Sequence, residues 1–467
     1  MARVWISSAL ATIGWTAFAA PPDCAVCHPQ EAQSYARTPM GRSVGAVLPA
    51  SAKFRHGVSG TEFRVDGVVH EASRRGLTAG HEASLRIGSG RVGSSFAVKI
   101  DGRLFQSPIS WYAQRARFDL SPGFEPERHP DFDRPIRDEC LLCHASRTDD
   151  RWAAIGCERC HGEGIEHRAS PSKSNIVNPA RLSGAIRDSV CEQCHLSGVS
   201  RIPHPGKTFG DFRAGETLES VWTTFVGGDD FKVVSHSEQW AKSKCRTNSG
   251  ESLGCAVCHN PHPTAAKPVR GFDAVCRDCH QPHLVETTCT GCHMAKRGAQ
   301  DVHAAYTDHH VRREAAQPTV APGSLRAWRP VPPEFVERAT ALARGDLASL
   351  VKLAPAGDPE VLAMAGSILL QRGRAREALP LLQRAVEVRE NDASAWFRLG
   401  LAEQALGIAS FAARYEEAIR RDPFLFDAYA ALAKARSGDR AAYESVLRRF
   451  LRHAPQNLTV REALRGK

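Results

Sequence analysis

Apolar positions recur with a different period in each of four successive stretches of this chain. The first is a run from Val4 to Ala19 with few polar residues, opened by Met1-Ala2-Arg3 and closed by Ala17-Phe18-Ala19, a small-x-small step. That pattern reads as a secretory signal peptide over residues 1–19, too short and too weakly flanked for a membrane span. In the second stretch, roughly 46–125, apolar residues alternate. Phe63 and Val65 lead to Asp66-Gly67, with Val68-Val69-His70 beyond it. Phe96, Val98 and Ile100 lead to Asp101-Gly102, followed by Leu104 and Phe105. Asp-Gly between alternating runs signals a two-residue hairpin, so this stretch is expected to be a β-rich insert. The third stretch continues to residue 311 and shows few periodic runs; 169–184 and 197–215 are rich in Pro, Gly and Ser and read as irregular connections. Residues 312–332, ending in Pro330-Val331-Pro332, read as a linker. The fourth stretch, 333–467, has Ala and Leu at helical spacing.

The tail carries a repeat of 34 residues: Leu362, Gly366 and Ala378 are matched by Trp396, Gly400 and Ala412. Ala385 is matched by Ala418 after a one-residue deletion, and a third unit carries Tyr429, Leu432 and Ala433. Units end at Pro423 and Pro455. This resembles the tetratricopeptide repeat, which implies helix pairs that bury their faces against the next pair.

Cysteine usage changes the picture of the irregular stretch. The sequence Cys-x-x-Cys-His occurs seven times, using fourteen of the fifteen cysteines. The pairs are Cys24 and Cys27, Cys140 and Cys143, Cys157 and Cys160, Cys191 and Cys194, Cys255 and Cys258, Cys276 and Cys279, and Cys289 and Cys292. The closing histidines are His28, His144, His161, His195, His259, His280 and His293. The motif is the attachment signature of haem c: two thiols bond the porphyrin edge and the histidine takes one face of the iron. A zinc site does not need a histidine after every pair. Seven covalent haem c groups, each with its iron, are therefore expected in residues 20–311, where they would replace an apolar core. Such attachment takes place outside the cytoplasm, in accord with the leader, so a periplasmic or secreted protein of a bacterial cell envelope is expected.

The formal charge is +10 and the sequence pI about 9.0. Haem propionates give these cations a partner, so the charge does not call for nucleic acid. No later stretch is apolar enough to cross a membrane, and no integral span is expected after leader removal.

Twelve histidines outside the motifs lie in the haem region: His56, His70, His81, His129, His167, His204, His236, His262, His283, His303, His309 and His310. Seven would close every iron with a second imidazole, the arrangement suited to electron transfer rather than substrate chemistry. Met40 is a further possible ligand, though a packing role suits it better. Cys245 has no motif partner. It can be a thiolate ligand, an extra thioether or an inert buried thiol, and the last is favoured.

The stretch from His236 to Cys245, followed by Cys255-Ala256-Val257-Cys258-His259-Asn260-Pro261-His262, resembles exported multihaem cytochromes with a C-terminal repeat tail. Their haem region is similar to the tetrahaem cytochrome of ammonia oxidisers. Ile87-Gly88-Ser89-Gly90, Leu120-Ser121-Pro122-Gly123-Phe124, Cys157 to His167, and Thr307-Asp308-His309 carry the same resemblance. It implies that His56, His81, His167, His236, His262, His303 and His309 are the recurring non-motif histidines, and that Cys245 is a family feature. Unlike pentahaem nitrite reductases, the chain has no Cys-x-x-Cys-Lys motif. The expected chain is mainly α: an irregular multihaem cytochrome domain with a β-rich insert, then an α-helical repeat solenoid. The expected function is an electron carrier between redox partner proteins, docked partly through the tail. The alternatives are an oxidoreductase acting on a small nitrogen or sulfur compound at an open iron, and a component of an extracellular conducting assembly.

Overall fold

The computed structural model describes residues 22–124, 130–148, 151–227, 231–265, 268–281, 288–298, 303–312 and 325–466. The leader lies outside them. The expectation of a mainly α chain fails: 46% of the chain is helix and 18% strand, and a large antiparallel sheet stands beside the helical tail. The fold is mixed.

The sheet has nine strands: β1 Val44–Gly45, β2 Ala50–Arg55, β3 Glu62–Gly67, β4 Val69–Arg74, β5 Leu77–Ile87, β6 Gly93–Ile100, β7 Arg103–Gln106, β8 Ile109–Tyr112 and β9 Arg117–Leu120. Its order is β2-β3-β4-β5-β6-β8-β9, with β1 on β5 and β7 on β6. The edge strands β2 and β9 come against each other, so the sheet curls into a near-barrel. At the turn after Ile100, Asp101 and Gly102 both have positive φ (47° and 80°), the two left-handed residues of a type I′ hairpin. Arg75 and Gly76 do the same (49° and 72°) at a hairpin that no Asp-Gly pair announces.

Several inward residues of the barrel are polar or small. Along β4 the buried positions are His70, Ala72 and Arg74. His70 is satisfied by a 2.8 Å hydrogen bond between its Nδ1 and the Ser107 hydroxyl, with its ring edge-on to Phe96. Around them Phe63, Val65, Val98, Ile100, Phe105, Ile109 and Leu120 fill the interior.

The tail forms consecutive helix pairs: Val336–Arg344 with Leu347–Leu353, Pro359–Gln371 with Ala375–Val388, Ala393–Ala405 with Phe411–Arg421, and Phe426–Ala435 with Arg440–His453. Helix Leu458–Leu464 ends the stack. Its recurring glycines mark close approach. A Cβ on Gly366 would sit 2.6 Å from the Leu382 side chain, and one on Gly400 2.6 Å from the Tyr415 ring.

Both ends of the tail are fastened to the rest of the molecule. At one end Phe335 stacks on His204 (4.0 Å between centroids), and Arg338 donates to the Pro203 carbonyl (2.8 Å). At the other, Leu458 is fully buried in the barrel core, and Phe424 and Phe426 pack on Phe105. The buried Arg74 guanidinium donates to Glu462 (2.8 Å) and lies 3.5 Å from Asp131, which also accepts from the Thr459 amide and hydroxyl. The expected linker is not free over its last part. Arg326–Ala327 is a strand paired with Trp222–Val226, and Arg329 reaches the buried Glu192 at 2.5 Å. Residues 313–324 are outside the described residues.

Two outcomes are expected. Arg74→Met removes the buried cation between Asp131 and Glu462, leaving Glu462 the more distant, exposed Arg75 (3.7 Å), and costs about 3–5 kcal/mol in denaturant unfolding, whereas Lys352→Met, at an exposed pair with Glu337, leaves the unfolding midpoint essentially unchanged. Burial pushes the His70 imidazole down to about 4, below the ordinary value of about 6.5. The unfolded chain therefore binds the extra proton first as pH falls. Stability drops by up to about 3 kcal/mol between pH 7 and pH 4 through this group, and His70→Gln flattens that part of the profile of unfolding midpoints.

Candidate functional site: a cavity walled by seven Cys-x-x-Cys-His turns

Each motif is close to one turn of helix. The His28 amide donates to the Cys24 carbonyl (2.8 Å), His161 to Cys157 (2.9 Å), His259 to Cys255 (3.0 Å) and His280 to Cys276 (3.0 Å). With 3.6 residues per turn, positions i, i+3 and i+4 share a face, so both thiols and the imidazole of a motif project together. They project into one cavity of about 3470 Å³, several times the ~1,000 Å³ upper range of a single-ligand pocket. All seven motif histidines and thirteen of the fourteen motif cysteines line it; Cys140 stands outside. Apolar side chains open onto it, among them Val26, Val257 and Phe272, 80%, 46% and 46% exposed. The described wall holds twelve Lys and Arg against four Asp and Glu, so it favours an anionic occupant.

Motifs distant in sequence touch one another. The Cys24 thiol lies beside that of Cys157, Cys143 beside Cys194, and Cys191 beside Cys255. The Gln193 amide donates to the Arg159 carbonyl (2.9 Å), and the Arg159 guanidinium to the Leu142 carbonyl (3.0 Å). The Thr290 amide donates to Asp273 (3.2 Å), and His259 meets Phe272 edge-on at 5.3 Å. These contacts join the second, third and fourth motifs, attach the first to the third and the fifth to the fourth, and link the fifth through the sixth to the seventh.

The non-motif histidines divide by position. His167, His236, His262 and His309 line the cavity, as does His310, which the resemblance did not single out. His56, His81 and His303 do not. His56 bonds Ser59 in the turn after β2 (2.9 Å), His81 packs on Phe132 (4.8 Å), and His303 pairs with Asp119 (3.1 Å) beside the Tyr112 ring. His70 and His204 are likewise committed elsewhere, to Ser107 and to Thr223 and Phe335. His129 and His283 lie outside the described residues. Of the twelve, five among the described residues line the cavity.

Within the cavity the imidazoles pair. His28 and His167 have ring centroids 6.3 Å apart and planes 16° apart. For His161 and His262 the values are 6.1 Å and 24°, and for His259 and His309 6.1 Å and 29°. His236 is closer to its neighbours and edge-on, 5.0 Å from His195 and 4.5 Å from His309. The Nδ1 of His161 meets the Val177 carbonyl (2.7 Å), that of His167 the Ser172 carbonyl (3.0 Å) and that of His309 the Thr307 carbonyl (3.2 Å). A carbonyl on Nδ1 fixes the tautomer that leaves Nε2 as a lone-pair donor. Burial, reinforced by neighbouring imidazoles, pushes His195, His236 and His309 down to about 4, so they are neutral and ready to ligate.

The remaining wall residues are less committed. Met40 and Cys245 both line the cavity, with Cys245 close enough to Cys258 and Cys276 to influence their thiols. Burial holds the phenols of Tyr35 and Tyr306 above the ordinary range, and Tyr35 donates to the Ile155 carbonyl (2.9 Å).

These residues fit haem c. The cavity is large, part apolar and cationic, thiols of all seven motifs face it, and the buried Nδ1 of His195 has no hydrogen-bond partner among the described residues. Among the described residues no three His, Cys, Asp or Glu side chains converge as a metal cage; the recurring arrangement is the histidine pair. No family model matches the sequence, and no curated protein is similar to it.

Proposed function

We propose that the protein is a periplasmic or secreted carrier of electrons, holding seven haem c groups in the common cavity and passing electrons between redox partner proteins. The observation that carries this reading is the convergence of all seven motif histidines on one space, with motifs in contact across the whole series. Bound there, the haem iron supplies one-electron redox chemistry, tuned by its axial ligands and the surrounding field. The chain's own part is to fix thiols and imidazoles on helical turns, hold those imidazoles neutral by burial, and set cations around the propionates. The resemblance to exported multihaem cytochromes supports the same reading. The tail contributes to partner docking through the helix pairs between its fastened ends, Pro359–Gln371 to Phe411–Arg421.

A second reading, an oxidoreductase acting on a small nitrogen or sulfur compound at one open iron, draws on a specific observation. Five described non-motif histidines line the cavity for seven motif histidines, with Tyr306 also in the wall.

Protein made in a host that matures c-type cytochromes is expected to give seven haems per chain by pyridine haemochrome assay. Its dithionite-reduced spectrum is expected not to shift under carbon monoxide. A shift of one haem out of seven supports the second reading, and a chain without covalent haem overturns both. His56→Gln and His303→Gln are expected to leave the spin state unchanged, since neither ring reaches the cavity; new high-spin iron in either would place that ring on a haem.

A further inference from the structure

Three of the histidine pairs follow one rule of spacing along the chain. Resting on the haem reading above, we infer that the odd-numbered motifs close one another in an interlocked series: His167 completes the iron held by His28, His262 that held by His161, and His309 that held by His259. His167 lies six residues after His161, His262 three after His259, and His309 sixteen after His293. Each second ligand thus comes from the segment that follows the next odd motif, the third for the first, the fifth for the third and the seventh for the fifth.

The geometry selects these pairs. Two imidazoles bound on opposite sides of one metal at about 2.0 Å each place their ring centroids about 6 Å apart. The three pairs stand at 6.3, 6.1 and 6.1 Å with planes within 29° of parallel. The competing contacts of His236 fall short of that separation, at 4.5 and 5.0 Å. In every selected pair one ring is oriented by a carbonyl on Nδ1: His167 by Ser172, His161 by Val177 and His309 by Thr307. Local sequence works against the simpler alternative that a histidine closes the motif it follows. Two residues separate His259 from His262, with Pro261 stiffening the link, and the two imidazoles would have to reach opposite faces of one porphyrin.

The interlock makes an unusual demand: removing a distal histidine must open an iron in a different motif from the one beside it in sequence. The test uses the full-length holoprotein and reads spin state by magnetic circular dichroism and electron paramagnetic resonance. His167→Ala is expected to turn one haem in seven high-spin. C24A/C27A is expected to carry six haems, and adding H167A to it is expected to change nothing, because the iron that His167 serves is already gone. A new high-spin haem in that triple variant, or an unchanged spectrum in H167A alone, overturns the pairing. If H167A does not accumulate, the same comparison is read from H262A with C157A/C160A and from H309A with C255A/C258A. A wild-type chain without haem instead fails the functional reading on which the pairing rests.

Discussion

The length of one helical turn governs the region from Cys24 to Arg312. Because 3.6 residues make a turn, a Cys-x-x-Cys-His segment that coils once presents two thiols and an imidazole on one side and leaves the rest of its surface for neighbours. Seven such turns facing inward build a cavity wall instead of a core. From Phe231 to Arg312 the described residues include one buried apolar side chain, Ala304. The polypeptide there is held by backbone turns, ion pairs such as Arg246 with Asp188, and contacts between motifs. A segment this poor in apolar burial gains little from its own packing, and the proposed haems would supply the apolar contacts that side chains there do not.

The barrel and the tail stand in the opposite regime, with dense apolar clusters of their own. They are also not independent of each other. Leu458 enters the barrel core, and Arg74 of the barrel is neutralised by Glu462 of the last helix, across 388 residues of chain. The tail therefore acts as a strap from the strand at Pro203 to the barrel. The barrel in turn meets the last motif region, where Gln114 exchanges two hydrogen bonds with the backbone of Ala305. The cavity is framed on several sides by parts of the chain that carry no motif. A solenoid fastened at both ends presents its middle helix pairs rather than a free arm.

Much of this was legible in the residues, and the failures have physical causes. The Asp101-Gly102 hairpin and the helix pairs with Gly366 and Gly400 at their contacts follow from local rules that need no tertiary knowledge. What stayed hidden in the barrel is who its buried polar residues pair with: β4 buries His70 and Arg74, and their partners, Ser107 and Glu462, are remote in sequence. The places of His56, His81 and His303 outside the cavity were hidden for a related reason. A histidine that bonds Ser59, packs on Phe132 or pairs with Asp119 has the same letter as a ligand, and only position separates them.

The sequence by itself determined which atoms can hold a cofactor: the thiols and imidazoles of seven turns, set by spacing that the helix converts directly into a shared face. It also determined the Asp101-Gly102 hairpin and the helix pairs, since both follow from dihedral preference and periodicity within a few residues. The tertiary structure alone decided which motifs touch, which histidines face the cavity and which pair across it, and that the tail closes on the barrel. Those outcomes depend on contacts between residues tens to hundreds of positions apart, where burial and charge pairing, not local geometry, select the partner.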